Sequence, residues 1–107
     1  MLVNLTPHDI TIRLEDGDRI IPASGTVARV TTSQVPAGTV DGIPVSAQTF
    51  GQIEGLPDPQ DGVVFVVSAI VLAAAKEAGR TDVVAPDTAR AIRDDAGRIV
   101  AVPGLVK

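Results

Sequence analysis

VVFVVSAIVLAAAKEAG, residues 63–79, contains the longest apolar run of the chain. Its first part, Val63 to Val67, is apolar throughout and rich in β-branched residues, which is typical of a strand buried on both faces. Ser68 is a residue type that caps helix N-termini, Ala69 to Ala78 predicts a short helix apolar on nearly all sides, and Gly79 stands where helices commonly end. The stretch therefore predicts a central strand followed by one buried helix.

Hairpin patterns lie on both sides of this segment. Apolar and polar residues alternate from Ile10 to Glu15, and Asp16-Gly17 separates them from Arg19 to Ile21, which is typical of two antiparallel strands joined by a tight turn. Gly55 to Gly62 contains two prolines and predicts a loop. Further short strands are predicted at Thr26 to Thr31, at Thr39-Val40 and Pro44 to Thr49 around an Asp41-Gly42 turn, at Val83 to Ala85, and at Ala89 to Arg93 and Arg98 to Val102 around the turn Asp94 to Gly97.

These elements predict an α+β fold, a twisted and mostly antiparallel sheet with one short buried helix, in a single domain spanning residues 1–107. Aromatic residues make up only 2% of the chain, so Val, Ile, Leu and Ala must build the core. A domain this small gains from burial against a second copy, and we expect a homo-oligomer.

Composition also limits the compartment and the partners. Cysteine is absent, no signal peptide opens the chain, and the apolar run is shorter than the roughly 18 residues of a membrane span, so we expect a cytoplasmic protein with no membrane partner. The formal net charge is −4 and no run of Lys or Arg occurs, which argues against duplex nucleic acid as a partner. A small anionic ligand remains compatible, because a few converging arginines bind one without a basic protein around them.

The only histidine, His8, closes the box Asn4-Leu5-Thr6-Pro7-His8. On one interpretation Thr6-Pro7 forms a turn, and the Asn4 and His8 side chains satisfy nearby backbone groups. On the other, Asn4, Thr6 and His8 form a polar cluster at a strand end, where His8 binds phosphate or acts as acid or base. Asp9 is a doubtful partner for His8, because neighbours on a strand point to opposite faces.

Arginines are the second group of candidate site residues. Arg29 stands among apolar neighbours, and Arg90 and Arg93 would face opposite ways on the last predicted hairpin, so only one of these two can line a given pocket. The alternative is that each arginine pairs with a surface carboxylate. One His and no Cys favour neither a metal site nor a cofactor, and no glycine-rich phosphate loop or nucleophile elbow occurs.

With these residues in view, the chain resembles a family of short bacteriophage and actinobacterial, prophage-type proteins that open with N-L-T-P-H. The resemblance covers most of the chain in order, and it implies a phage-associated accessory protein without supplying a reaction or catalytic residues. Some small phage proteins capture or cleave nucleotide signals of bacterial immune systems in pockets between subunits, and the chain is compatible with an anti-defence role of this kind. The matching segments are Asn4 to His8, Ser24-Gly25-x-Val27-Ala28-Arg29-Val30, Gly55-Leu56-Pro57-x-Pro59-Gln60-x-Gly62 with the strand through Val67-Ser68, Val84-Ala85-Pro86-Asp87, and Arg93-Asp94-x-x-Gly97.

Three hypotheses about function follow. The favoured one is a binder that sequesters a small nucleotide-like ligand, such as a host immune signal, at a subunit interface, with Asn4, Thr6 and His8 joined by Arg29 or Arg93. The second is a protein-interaction or virion accessory module. The third is a hydrolase of such a ligand with His8 as its catalytic acid-base group, which ranks last because no nucleophile or orienting partner for His8 is evident.

Overall fold

The computed structural model describes all 107 residues. It contains ten strands, one α-helix and a 3₁₀ turn at Thr88–Arg90. The bounds are β1 (Leu2–Asn4), β2 (Ile10–Leu14), β3 (Gly17–Ile21), β4 (Arg29–Val40), β5 (Ile43–Glu54), β6 (Val64–Val66), α1 (Ala69–Glu77), β7 (Val83–Pro86), β8 (Ile92–Arg93), β9 (Ile99–Ala101) and β10 (Leu105–Val106).

A four-stranded sheet in the order β1-β6-β7-β10 lies at the centre of the protein. Phe65 and Val66, in β6, are 1% and 0% exposed, which confirms the predicted central strand. Because neighbouring side chains of a strand point to opposite faces, Phe65 packs in a cluster with α1, whereas Val66 packs with Ile12 and Ile21 of β2 and β3. The sheet is therefore buried on both sides.

The helix α1 begins and ends as its sequence predicts. The Ser68 hydroxyl accepts a hydrogen bond from the Val71 amide at 3.4 Å, and Gly79 follows the helix with φ of +85°. Val71 and Ala75 are buried against the central sheet, where they add to the cluster around Phe65. The predicted cap, helix and terminating glycine are all confirmed.

The protein is α+β with mostly antiparallel pairing, as predicted. The hairpins β2–β3, β4–β5 and β8–β9 and the pair β7–β10 are antiparallel. At the centre, however, β1 pairs with β6 and β6 with β7 in parallel. The parallel pairing of β6 with β7 arises because α1 carries the chain back across the sheet from the end of one strand to the start of the next.

The hairpin β4–β5 is the largest departure from the predicted strands. The Asp41-Gly42 turn is confirmed and both residues have positive φ, 51° and 77°, but each flanking strand is 12 residues long. The predicted strand at Thr26 to Thr31 begins only at Arg29 and continues to Val40.

We call residues 31–52 the β-arm. Residues 31 to 49 are all exposed, and the radius of gyration is 16.3 Å, whereas a compact chain of this length has about 13 Å.

The C-terminal hairpin is shorter than predicted. Residues Thr88–Arg90 form a 3₁₀ turn instead of continuing a strand, because the Asp87 carboxylate binds Arg90 at 2.8 Å and the amide of Ala91 donates to the carbonyl of Thr88. The chain contains no helix with the length and apolar character needed to cross a membrane.

Candidate functional site

The parallel strands β1, β6 and β7 end at one edge of the central sheet, and a cavity of about 460 Å³ opens there. Its polar wall contains Thr6 and His8 after β1, Ser68 after β6, and Thr88 after β7. Its apolar wall comes from Ile10, Pro86, Ile99, Val100 and Val102. Crevices at the carboxyl ends of parallel strands are common ligand sites, because loops from neighbouring strands converge there.

Asn4 fixes the turn that carries Thr6 and His8. Its side chain is buried, with the residue 1% exposed, and its amide nitrogen donates to the carbonyls of His8 (2.9 Å) and Ile21 (3.0 Å). Its Oδ1 accepts from the backbone amide of Thr6 (2.9 Å) and from the Thr6 hydroxyl (2.6 Å). These four bonds use the full capacity of the amide. Asn4 therefore shapes the site from beneath and does not line the cavity.

His8 is exposed at the mouth of the cavity. Its backbone carbonyl is held by Asn4, whereas no hydrogen bond joins its imidazole to another group of the protein. The neighbouring Asp9 carboxylate accepts instead from the amide of Ala23 at 2.8 Å. The imidazole is thus free to contact a ligand, and no side chain fixes its orientation for proton transfer.

The first turn of α1 meets the same cavity. Ser68 and Ala69 line it, and the first intrahelical hydrogen bond runs from the amide of Leu72 to the carbonyl of Ser68. The amides of Ala69 and Ile70 precede that bond and have no acceptor within the helix. A helix start of this kind carries a partial positive charge that favours an anion.

A second cavity, of about 280 Å³, lies next to the first and brings Arg29 to the site. Thr6 and Ser68 line both cavities, so they form a shared wall. Arg29, at the start of β4, is exposed and takes part in none of the four ion pairs of the protein. The structure therefore places Thr6, His8 and Arg29 around two adjoining cavities.

Arg93 lies elsewhere. Its guanidinium donates to the carbonyl of Gly97 at 2.8 Å within the last hairpin, and it lines neither cavity. Arg90 pairs with Asp87 as the alternative interpretation of the arginines anticipates. Of the two arginines named as partners of the Asn4-to-His8 box, Arg29 is the one that the fold brings near it.

Several lining residues lie outside those that the sequence singled out as a site, among them Ser68, Thr88 and the segment from Ile99 to Val102. Ser68 carried a signal, since a helix cap directly after a buried strand marks the carboxyl edge of a sheet. Thr88 and Ile99 carried none, because only the tertiary fold brings them there. No group of three or more His, Asp or Glu side chains is placed to hold a metal ion.

Comparison of the chain with protein-family models, with curated proteins and with solved structures gives no match. The function is therefore inferred from the geometry of the two cavities.

Proposed function

We propose that this protein binds a small nucleotide-like ligand across the two adjoining cavities. The observation that carries the proposal is the shared wall of Thr6 and Ser68, with an apolar cavity on one side and the unpaired Arg29 on the other. A nucleotide is arranged in the same way, with a flat base whose faces stack on apolar surface at one end and a phosphate group at the other.

The larger cavity suits the base and sugar. Its volume of about 460 Å³ lies within the range of ligand pockets, and Ile10, Pro86 and Ile99 supply apolar surface for a ring. The hydroxyls of Thr6 and Thr88 and the imidazole of His8 supply the few polar contacts that orient a bound molecule.

The phosphate belongs at the shared wall. There the start of α1 offers backbone amides beside Ser68, and Arg29 offers five N–H donors from the second cavity. Asp9 lines the larger cavity and not the second one, so its carboxylate disfavours phosphate in the larger cavity. These charges orient the ligand with its anionic part toward Arg29.

The biological setting is part of the same proposal. The prophage-type resemblance and the capacity to hold a ligand without an oriented acid-base pair together favour sequestration of a host nucleotide signal over its hydrolysis. The partner copy that the sequence composition favours would close the exposed mouth of the site.

The test is binding to a panel of mono-, di- and cyclic nucleotides, followed by calorimetry and by native mass spectrometry of protein purified from bacteria. Arg29→Gln should weaken binding by about 10-fold or more, since a hydrogen bond to a charged group contributes roughly 1.5–3 kcal/mol. Arg19→Gln is the matched control, because Arg19 is also exposed and lines neither cavity. Absence of binding across the panel, or equal loss in both variants, would refute the proposal.

A further inference from the structure

The β-arm presents an apolar face with no core beneath it. In β5 the residues Ile43, Val45 and Ala47 share one face because side chains alternate along a strand. The register adds Val40 opposite Ile43 and Val35 opposite Ala47 to that face. Every large aliphatic side chain of residues 31–52 therefore lies on one side of the ribbon, and Val40 and Ile43 are 63% and 65% exposed.

The opposite face of the β-arm is of a different kind. The alternation and the register place Gln34, Pro36, Ser46 and Gln48 there, all exposed. At its end near the body this face also contains Phe50, which is half-buried. The ribbon is thus amphipathic, with an aliphatic face and a face of amide and hydroxyl side chains.

The β-arm is almost without charge in a chain that is acidic. Residues 31–52 contain one ionisable side chain, Asp41 at the tip, whereas the whole chain has a formal net charge of −4. Two copies that approach through their arms therefore bring no like charges together along the aliphatic face. Apart from Asp41, every charged side chain of the protein lies outside the β-arm.

A lone ribbon of this length lacks support in a monomer. Val30 and Ile53 at its base pack on the cluster around α1, but residues 31 to 49 are exposed throughout. Isolated two-stranded hairpins are marginally stable in water, and a third strand or packing against another element is normally needed. Only 19 of the 107 residues are buried in the single chain.

We propose that the aliphatic face of the β-arm packs against the same face of a second copy of this chain, about a two-fold axis. A face that meets its own equivalent is self-complementary under this symmetry. Packing through faces is favoured over pairing through strand edges, because Pro36 lies in one edge strand and Pro44 in the other and neither can donate to an added strand. The inference does not depend on the proposed ligand.

The size of the face sets the strength of the dimer. Ten residues of each strand extend about 33 Å and two strands are about 10 Å wide, so one face covers about 330 Å² in projection. Two facing arms hide about 660 Å² before the relief of the side chains is counted, which is below the roughly 1,000 Å² of a stable specific interface and is the size of a weak, transient one. We therefore expect a reversible dimer whose fraction rises with concentration.

Sedimentation velocity over a concentration series up to millimolar is the first test. The wild-type mass should rise from 11.0 kDa toward twice that value. The double variant Ile43→Lys with Val45→Lys should stay at 11.0 kDa, whereas Ser46→Lys with Gln48→Lys, which adds the same charge on the other face, should still dimerise. The proposal is overturned if the wild type stays monomeric, which would assign the face to another partner. It is also overturned if both double variants lose the dimer to the same extent.

A second measurement guards against variants that unfold the β-arm. Because the chain has no cysteine, Ala47→Cys introduces a single thiol at mid-arm on the aliphatic face, and Gln48→Cys places one beside it on the opposite face. Mild oxidation should trap a covalent dimer with Ala47→Cys and not with Gln48→Cys. The face-to-face arrangement would be refuted if Gln48→Cys alone is trapped as a dimer, or if neither variant is trapped although the wild type dimerises.

Discussion

Replacing Asn4 with alanine should destabilise the protein by about 3 kcal/mol, although residue 4 lies in a strand of only three residues. The substitution removes four hydrogen bonds, two from the amide nitrogen to the carbonyls of His8 and Ile21 and two from Thr6 to Oδ1. A typical intramolecular hydrogen bond contributes about 1 kcal/mol net. Water can reach the carbonyl of His8, whereas the bond to Ile21 is buried, so the total falls somewhat below the sum.

Urea unfolding followed by far-ultraviolet circular dichroism measures this loss, because the chain contains no Trp or Tyr for fluorescence. With a slope of about 1.5 kcal/mol/M, the midpoint should fall by about 2 M. Thr6→Val is the matched control. It removes one hydroxyl and leaves the backbone bond of Thr6 to Asn4 intact, so it should cost only about 1 kcal/mol.

Asn4→Asp separates the two halves of the network. It keeps an acceptor for Thr6 but loses both donors and buries a charge, and it should cost at least as much as alanine at neutral pH. If Asn4→Ala lowers the free energy of unfolding by less than about 1 kcal/mol, water replaces these hydrogen bonds, and the interpretation of Asn4 as the structural support of the site is wrong.

Two further substitutions test the loop that crosses the base of the β-arm and the end of α1. Gly55→Ala should lower stability by more than about 2 kcal/mol in thermal unfolding, because Gly55 has φ of +80° and an added Cβ would lie 2.5 Å from the carbonyl oxygen of Val27; wild-type stability in this variant would refute the packing. Arg80→Ala should cost about 1–3 kcal/mol at neutral pH, because Arg80 binds both oxygens of Asp82 at 2.9 Å and the carbonyl of Pro57. The hydrogen bond from Arg80 holds the pKa of Asp82 below its usual value. The stability that the pair contributes is therefore complete above about pH 4 and is lost as the pH falls through the lower pKa of the folded state. An acid-unfolding curve with the same slope in Arg80→Ala as in the wild type would contradict this expectation.

The local elements of this fold could be predicted from the sequence because their signals lie within a few residues. Ser68 and Gly79 bound α1, and Asp16-Gly17 and Asp41-Gly42 fix two hairpin turns, since each depends on a cap or a positive φ at one or two adjacent positions. The long-range pairing could not be predicted. β1 and β10 have three and two residues, too few to carry a periodic pattern, and their partners are chosen by the fold as a whole.

The residues of the candidate site were also predictable from the sequence only in part. His8 could be singled out because it is the only histidine, and Thr6 because Thr6-Pro7 is a turn-forming pair. The structural interpretation of the box applies to Asn4, whose side chain satisfies backbone groups, and not to His8, whose imidazole makes no hydrogen bond within the protein. Arg29 and Arg93 looked equivalent as sequence, and only the path of β4 places Arg29 beside Ser68. Ile99 reaches the cavity because β9 lies against β2, a contact that the sequence does not encode locally.

The parallel pairing of Leu2 with Val64 has a consequence for how the chain folds. The pairing of β1 with β6 closes a loop of about sixty residues, whereas β6 pairs with β7 and β7 with β10 across about twenty, and such non-local contacts slow folding. The hairpin β4–β5 closes over a two-residue turn and has no such delay. During synthesis its aliphatic face is therefore exposed before β7 exists, so the proposed packing of two copies would compete with completion of the domain.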